Sequence, residues 1–137
     1  MENEQNTFRK EERLCNRIVI DKLFTDGQMV FCFPFRFVFL VTESNEQRYP
    51  AKVVFSVPRK NFKKAVDRNL IRRRMREAFR TGKHPLYEML RSNNKNVSLM
   101  VIYTNKEIAE YPFIQKSLIK GMKKMMDTIL EKKNKLQ

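Results

Sequence analysis

The chain has 137 residues, enough for one domain that buries about two-thirds of its unfolded surface without a disulfide or metal staple. Lys and Arg number 29 against 15 Asp and Glu, a formal net charge of +14, while 42 % of the residues are hydrophobic. This excludes a disordered basic tail and makes an acidic polymer the first partner to consider. The longest apolar stretch, Met29–Val41, is shorter than the roughly 20 residues of a membrane span and contains Pro34 and Arg36. The polar N-terminus lacks the pattern of a secretory signal. Cys15, Cys32 and the one histidine, His84, make no zinc-binding spacing and read as incidental. Two isolated cysteines fit the reducing cytoplasm, which is the expected location.

In chain order, residues 1–10 read as a frayed tail, 11–131 as a single domain and 132–137 as a second tail. Leu14, Ile18, Ile20, Leu23 and Phe24 recur at helical spacing, and Asp26-Gly27 ends the segment. From Met29 to Thr42 the period becomes two. Phe31, Phe33, Phe35, Phe37 and Phe39 would share one face of a continuous strand, with Pro34 marking an edge or a bulge. Glu43–Gln47 reads as a polar turn, and Ala51–Val57 as the strand that returns to complete a hairpin. Most of these phenylalanines are expected in the core.

Asn61 is the expected N-cap of a helix that runs to about Arg80 and stops at Thr81-Gly82. Pro85–Arg91 suits one more short helical turn, and Val97–Tyr103 a buried strand. Pro112 fits a first helical turn. Beyond it Ile114, Leu118, Met122, Met125 and Ile129 form an apolar stripe, with Lys116, Lys120, Lys123 and Lys124 interspersed. The class is α+β, a small mixed sheet packed with helices.

Charge concentrates in one segment. Between Arg59 and Arg80 stand ten basic residues, namely Arg59, Lys60, Lys63, Lys64, Arg68, Arg72, Arg73, Arg74, Arg76 and Arg80, against Asp67 and Glu77. On a helix, Arg72, Arg76, Asn69, Arg80 and Arg73 fall within an arc of about 100°, with the small Ala65 inside it. Ile71, Met75 and Ala78 lie opposite, and Phe79 at the border. Arginines one turn apart repel one another, by about 0.2–0.5 kcal/mol per pair, so an external polyanion would offset a cost built into the helix. Arg also offers a planar fork for phosphate. The aromatic strands favour unpaired RNA over duplex DNA, since exposed rings stack on unpaired bases.

This segment resembles the protein subunit of bacterial ribonuclease P. The resemblance rests on Ser56-Val57-Pro58-Arg59-Lys60, then Lys64-Ala65-Val66-Asp67-Arg68-Asn69, Arg72-Arg73 and Arg76-Glu77-Ala78-Phe79-Arg80. Arg13-Leu14, Phe24 and Gly27 match the family's N-terminal pattern, and the likeness spans roughly residues 8–130. Leu70 departs from it, standing where the Arg-Asn-Arg signature has its second arginine. Arg74 offers a replacement charge without the same geometry.

The resemblance implies an α-β sandwich like that of a ribosomal protein, with a left-handed βαβ crossover. It implies the accessory subunit of a tRNA 5′-maturation endoribonuclease, acting on precursor tRNA. The RNA subunit and its Mg2+ would do the chemistry. The protein alone would be non-catalytic, which agrees with its scattered acids and single histidine. The docking set is Arg59, Lys60, Lys63, Lys64, Arg68, Asn69, Arg72, Arg73, Arg76 and Arg80. Phe24, with Phe35 and Phe37 from the strands, would line a cleft for the single-stranded leader. The helix N-terminus near Asn61 would add a partial charge for phosphate. No membrane, protein metal site or protein partner is required. The rival expectations are a general RNA-binding or ribosomal protein on the same fold, and a basic DNA-binding module.

Overall fold

A computed structural model of the chain describes residues 8–43 and 48–135, with side chains through Glu131. The expected frayed residues 1–7, most of the polar turn at 44–47 and the last two residues lie outside that set.

The segment after residue 7 belongs to the domain and is not a tail. Phe8 packs its ring on Phe55 and Phe79, with centroids 5.8 and 5.7 Å away. A 3-10 turn at Lys10–Glu12 follows and places Glu12 in the interior. There the Lys83 ammonium and the Tyr87 hydroxyl both donate to Glu12 Oε2 at 2.5 Å, and the Arg9 N–H donates to Oε1 at 2.8 Å. A buried carboxylate is tolerated when its lone pairs are filled in this way.

Leu14 does not open the first helix. Its N–H donates to the Val53 carbonyl at 2.9 Å, and Arg13 forms a parallel bridge with Val53. Helix α1 spans Arg17–Asp26, and its N-cap Asn16 accepts from the N–H groups of Ile18 and Val19. Gly27 ends it. A Cβ there would run into the Leu23 carbonyl and the Val38 side chain, so the turn into the sheet requires glycine.

The aromatic run is two strands, not one. The chain reverses at Phe33-Pro34, where the peptide is cis, and separates β1 (Gln28–Cys32) from β2 (Phe35–Glu43). They pair antiparallel with Cys32 opposite Phe35. The expected β2–β3 hairpin is absent as well. Strand β3 (Ala51–Ser56) lies at the far edge, and β4 (Lys95–Tyr103) enters between them, giving the order β1-β2-β4-β3. β4 runs antiparallel to β2 and parallel to β3. Its Leu99 and Val101 are buried on one face and its Met100 on the other, which suits a central strand. The class is mixed α+β, as expected.

Two helices connect β3 to β4. Helix α2 spans Ala65–Gly82 and α3 spans His84–Ser92. The N-cap is Lys64, not Asn61. Asn61 belongs to a turn in which its N–H donates to the Pro58 carbonyl at 3.2 Å, and Phe62 is drawn into the core beside Tyr103. At the other end Gly82 is still helical, and Lys83 hands the chain to α3. Helix α4 runs Tyr111–Lys135, through part of the expected C-terminal tail.

The two sheet faces are filled unequally. Phe35, Phe37, Phe39, Val53, Phe55, Leu99, Val101 and Tyr103 pack against α2, α3 and α4 in the main core. On the other face Val38 and Met100 meet Leu14 and Leu23, under α1.

Candidate nucleic-acid interface

Helix α2 is amphipathic in charge. Ile71, Met75, Ala78 and Phe79 are buried against the sheet, which fixes the rotation of the helix. That rotation turns Ala65, Asn69, Arg73 and Arg76 to solvent, with Arg72 and Arg80 half-buried at the sides of the arc. Arg59, Lys60, Lys63 and Lys64 are exposed in the loop that leads into the helix.

The arginines divide by what they already hold. Arg68 donates to the carbonyls of Phe62 and Lys63, at 2.8 and 2.9 Å, and so secures the basic loop against the helix. Arg80 grips Glu77 with two hydrogen bonds, at 2.8 and 2.6 Å. That contact holds the Glu77 carboxyl below its usual range and raises the Arg80 guanidinium. Arg72 donates to the Asn69 side chain at 2.6 Å, which presents the two as a unit on the exposed arc. Arg74, the candidate to replace the charge missing at Leu70, is held by the protein itself. Its guanidinium donates to the Ala109 carbonyl at 2.6 Å, in the approach to α4. Leu70, one turn earlier, lies on that same flank of the helix.

One further arginine joins the arc from a distance in sequence. The bridge between Arg13 and Val53 carries the Arg13 side chain beside α2. Arg76 is pushed below the usual guanidinium value, first by partial burial, then by the positive charges of Arg13, Arg72 and Arg73. A groove of about 400 Å3 opens here, lined by Arg13 and Arg76 together with Phe8, Leu14, Val53 and Phe55. Sequence reasoning did not group Arg13 with the α2 arginines, because only the long-range bridge brings it beside them. Its one signal was the Arg13-Leu14 pair.

The expected leader cleft is redrawn. Phe35 and Phe37 are fully buried in the main core and cannot line an open surface. They face the long helices, whereas α1 covers the opposite face. Phe24 is 65 % exposed on α1. The strand aromatic on the α1 face is Phe31, 47 % exposed, which shares its side of the sheet with Arg36. Met29, paired with Val38, is exposed on that face too. Among the described residues no three His, Cys, Asp or Glu side chains gather as a metal site, and no helix is long and apolar enough to cross a membrane.

Fold and surface together define a small basic α+β protein built around one polycationic helix. A family model of ribonuclease P matches residues 8–129, and the chain belongs to that family. The ribonuclease P protein component of Porphyromonas gingivalis is 28 % identical over 113 residues, covering 82 % of both chains. That of Chlorobium phaeobacteroides is 36 % identical over 86 residues, covering 61 % of this chain and 59 % of the relative. The fold is shared with the ribonuclease P proteins of Thermotoga maritima (TM-score 0.63, 24 % identity, 82 % of this chain and 96 % of that one) and Staphylococcus aureus (TM-score 0.61, 23 % identity, 82 % and 93 %). Membership makes the chain a protein component of a ribonuclease, and the family implies a role in tRNA processing.

Proposed function

We propose that this chain is the protein subunit of a ribonuclease P ribonucleoprotein that removes the 5′ leader from precursor tRNA. The exposed arc of α2 docks on the catalytic RNA subunit through Arg72, Arg73, Arg76 and Asn69. Arg13 and the loop residues Arg59, Lys60, Lys63 and Lys64 extend the contact, while Arg68 and Arg80 shape it from within. The supporting observation is the gathering of Arg13, Arg72 and Arg73 around the exposed Arg76, whose guanidinium is lowered first by partial burial and then by these three charges. RNA phosphates relieve that repulsion and release the counterions condensed on the RNA.

The single-stranded leader lies on the sheet face beside α1. Its unpaired bases stack on Phe24 and Phe31, and Arg36 meets a phosphate. The RNA and its Mg2+ carry out the hydrolysis. The protein's part is to neutralise phosphates and hold the leader, which lowers the Mg2+ the RNA needs. It works in the cytoplasm and requires no protein partner.

Reconstituted cleavage of precursor tRNA at near-physiological Mg2+ and salt tests this. The arms are RNA subunit alone, protein alone and both together, and cleavage is expected only with both. Cleavage by protein alone overturns the non-catalytic reading. An active RNA that the protein does not stimulate returns the chain to general RNA binding. Arg72→Ala and Arg73→Ala should each weaken binding to the RNA subunit and flatten its logarithmic salt dependence by about one unit.

A further inference from the structure

Helix α4 carries a second cationic face that the reading above does not use. Lys116, Lys120 and Lys124 follow one another about 6 Å apart along the helix axis, with Lys123 beside them, and all four are exposed. Phe113 stands on the same stripe, three residues before Lys116, and is 44 % exposed. Its ring meets that of Phe33, 53 % exposed in the β1–β2 turn, at a centroid distance of 6.4 Å. Turn and helix are locked together. Lys124 Nζ donates to the Phe31 carbonyl at 3.0 Å, and the Cys32 thiol lies 3.7 Å from the Ser117 carbonyl.

This face is separate from the arginine arc. The flank of α2 nearer to α4 is the one from which Arg74 reaches Ala109, and Arg72, Arg73 and Arg76 turn away from it. Lys116 and Lys120 have no ion pair among the described residues, although Asp127 shares their stripe. Lysines one turn apart repel, and two exposed phenyl rings side by side leave apolar surface in water. One occupant satisfies both features, a polyanion whose bases are free to stack. We infer that the Phe33–Phe113 pair and the α4 lysines form a second RNA-binding surface, which takes a single-stranded segment. Bases stack on the rings and the backbone tracks along the lysines. Lysines act as flexible point charges, so the surface tolerates many sequences.

The test reads RNA binding directly and does not depend on cleavage. Fluorescence anisotropy of the full chain with a short labelled oligouridylate compares the natural protein with three variants. The double variant Lys116→Glu, Lys120→Glu should lose about ten-fold in affinity, with a salt slope shallower by about 1.4 units, since each single-strand phosphate contact is worth about 0.7. Phe113→Ala should lose about five-fold or more for the oligouridylate and nothing for a blunt RNA duplex of equal length. Should Phe113→Ala destabilise the fold, Phe113→Leu keeps the apolar bulk without the stacking ring and should show the same selective loss. Arg72→Ala with Arg73→Ala, on the proposed docking arc, is the comparison and should lose less oligouridylate affinity than the double lysine variant. The inference is overturned if the α4 variants bind the oligouridylate as the natural chain does, or if only the α2 variant loses it. Equal loss for duplex and single strand overturns the stacking part.

Discussion

The two faces of the sheet come from the same alternating strands, yet one is closed and the other half open. On the closed face Phe35, Phe37 and Phe39 are sealed by three helices, and α4 comes so near that Gly121 lies directly on the Phe37 ring. On the open face the ten-residue α1 covers only Val38, Met100 and their neighbours. Met29 and Phe31 stay in solvent beside it, as does Phe24 on α1 itself. Equivalent side chains thus carry stability on one face and remain available for contact on the other. A residue's role here follows from which side of one strand it occupies, and neighbours in sequence take opposite roles.

This contrast can be broken by mutation. The largest effect should come from Phe37→Ala, which opens a cavity in the closed face at a cost of about 3–5 kcal/mol, measured by denaturant unfolding. Phe31→Ala, six residues earlier, should change stability by less than about 0.5 kcal/mol. Equal losses would erase the distinction between the faces. Glu12→Ala should cost a similar 3–5 kcal/mol, because Lys83 would stay buried without its carboxylate. Gly121→Ala should cost about 1–3 kcal/mol by forcing the new methyl against the Phe37 ring. The smallest stability effect should be that of Phe24→Ala. It should fold normally, assemble with the RNA subunit and lose only the preference for precursor over mature tRNA. If Phe24→Ala unfolds the protein, α1 closes its face after all.

The cationic helix was legible in the sequence because its determinants are local. Ile71, Met75 and Ala78 set the buried side, and the arginine arc follows at 100° per residue. The rotation came out as expected. The beginning of the helix did not, because Phe62 is drawn into the core and Pro58 opens a turn ahead of it. Charge alone also did not separate Arg72, Arg73 and Arg76 from Arg68, Arg74 and Arg80, whose guanidinium groups are tied to carbonyls or a carboxylate. Those partners are near in space, and one of them, Ala109, lies 35 residues away.

The phenylalanine run failed as a guide for the same reason. Period two predicts one shared face only while the strand continues, and the reversal at Phe33-Pro34 moves Phe31 to the other side of the sheet. By itself the sequence determined the α+β class, the cationic helix with its buried side, and the amphipathic α4. Each depends on residues within a few turns of one another. Tertiary structure decided the insertion of β4 between β2 and β3, the face each aromatic occupies, and the approach of Arg13 to Arg76. These arise from pairing between distant strands, where burial on both sides of β4 outweighs any local preference for a hairpin.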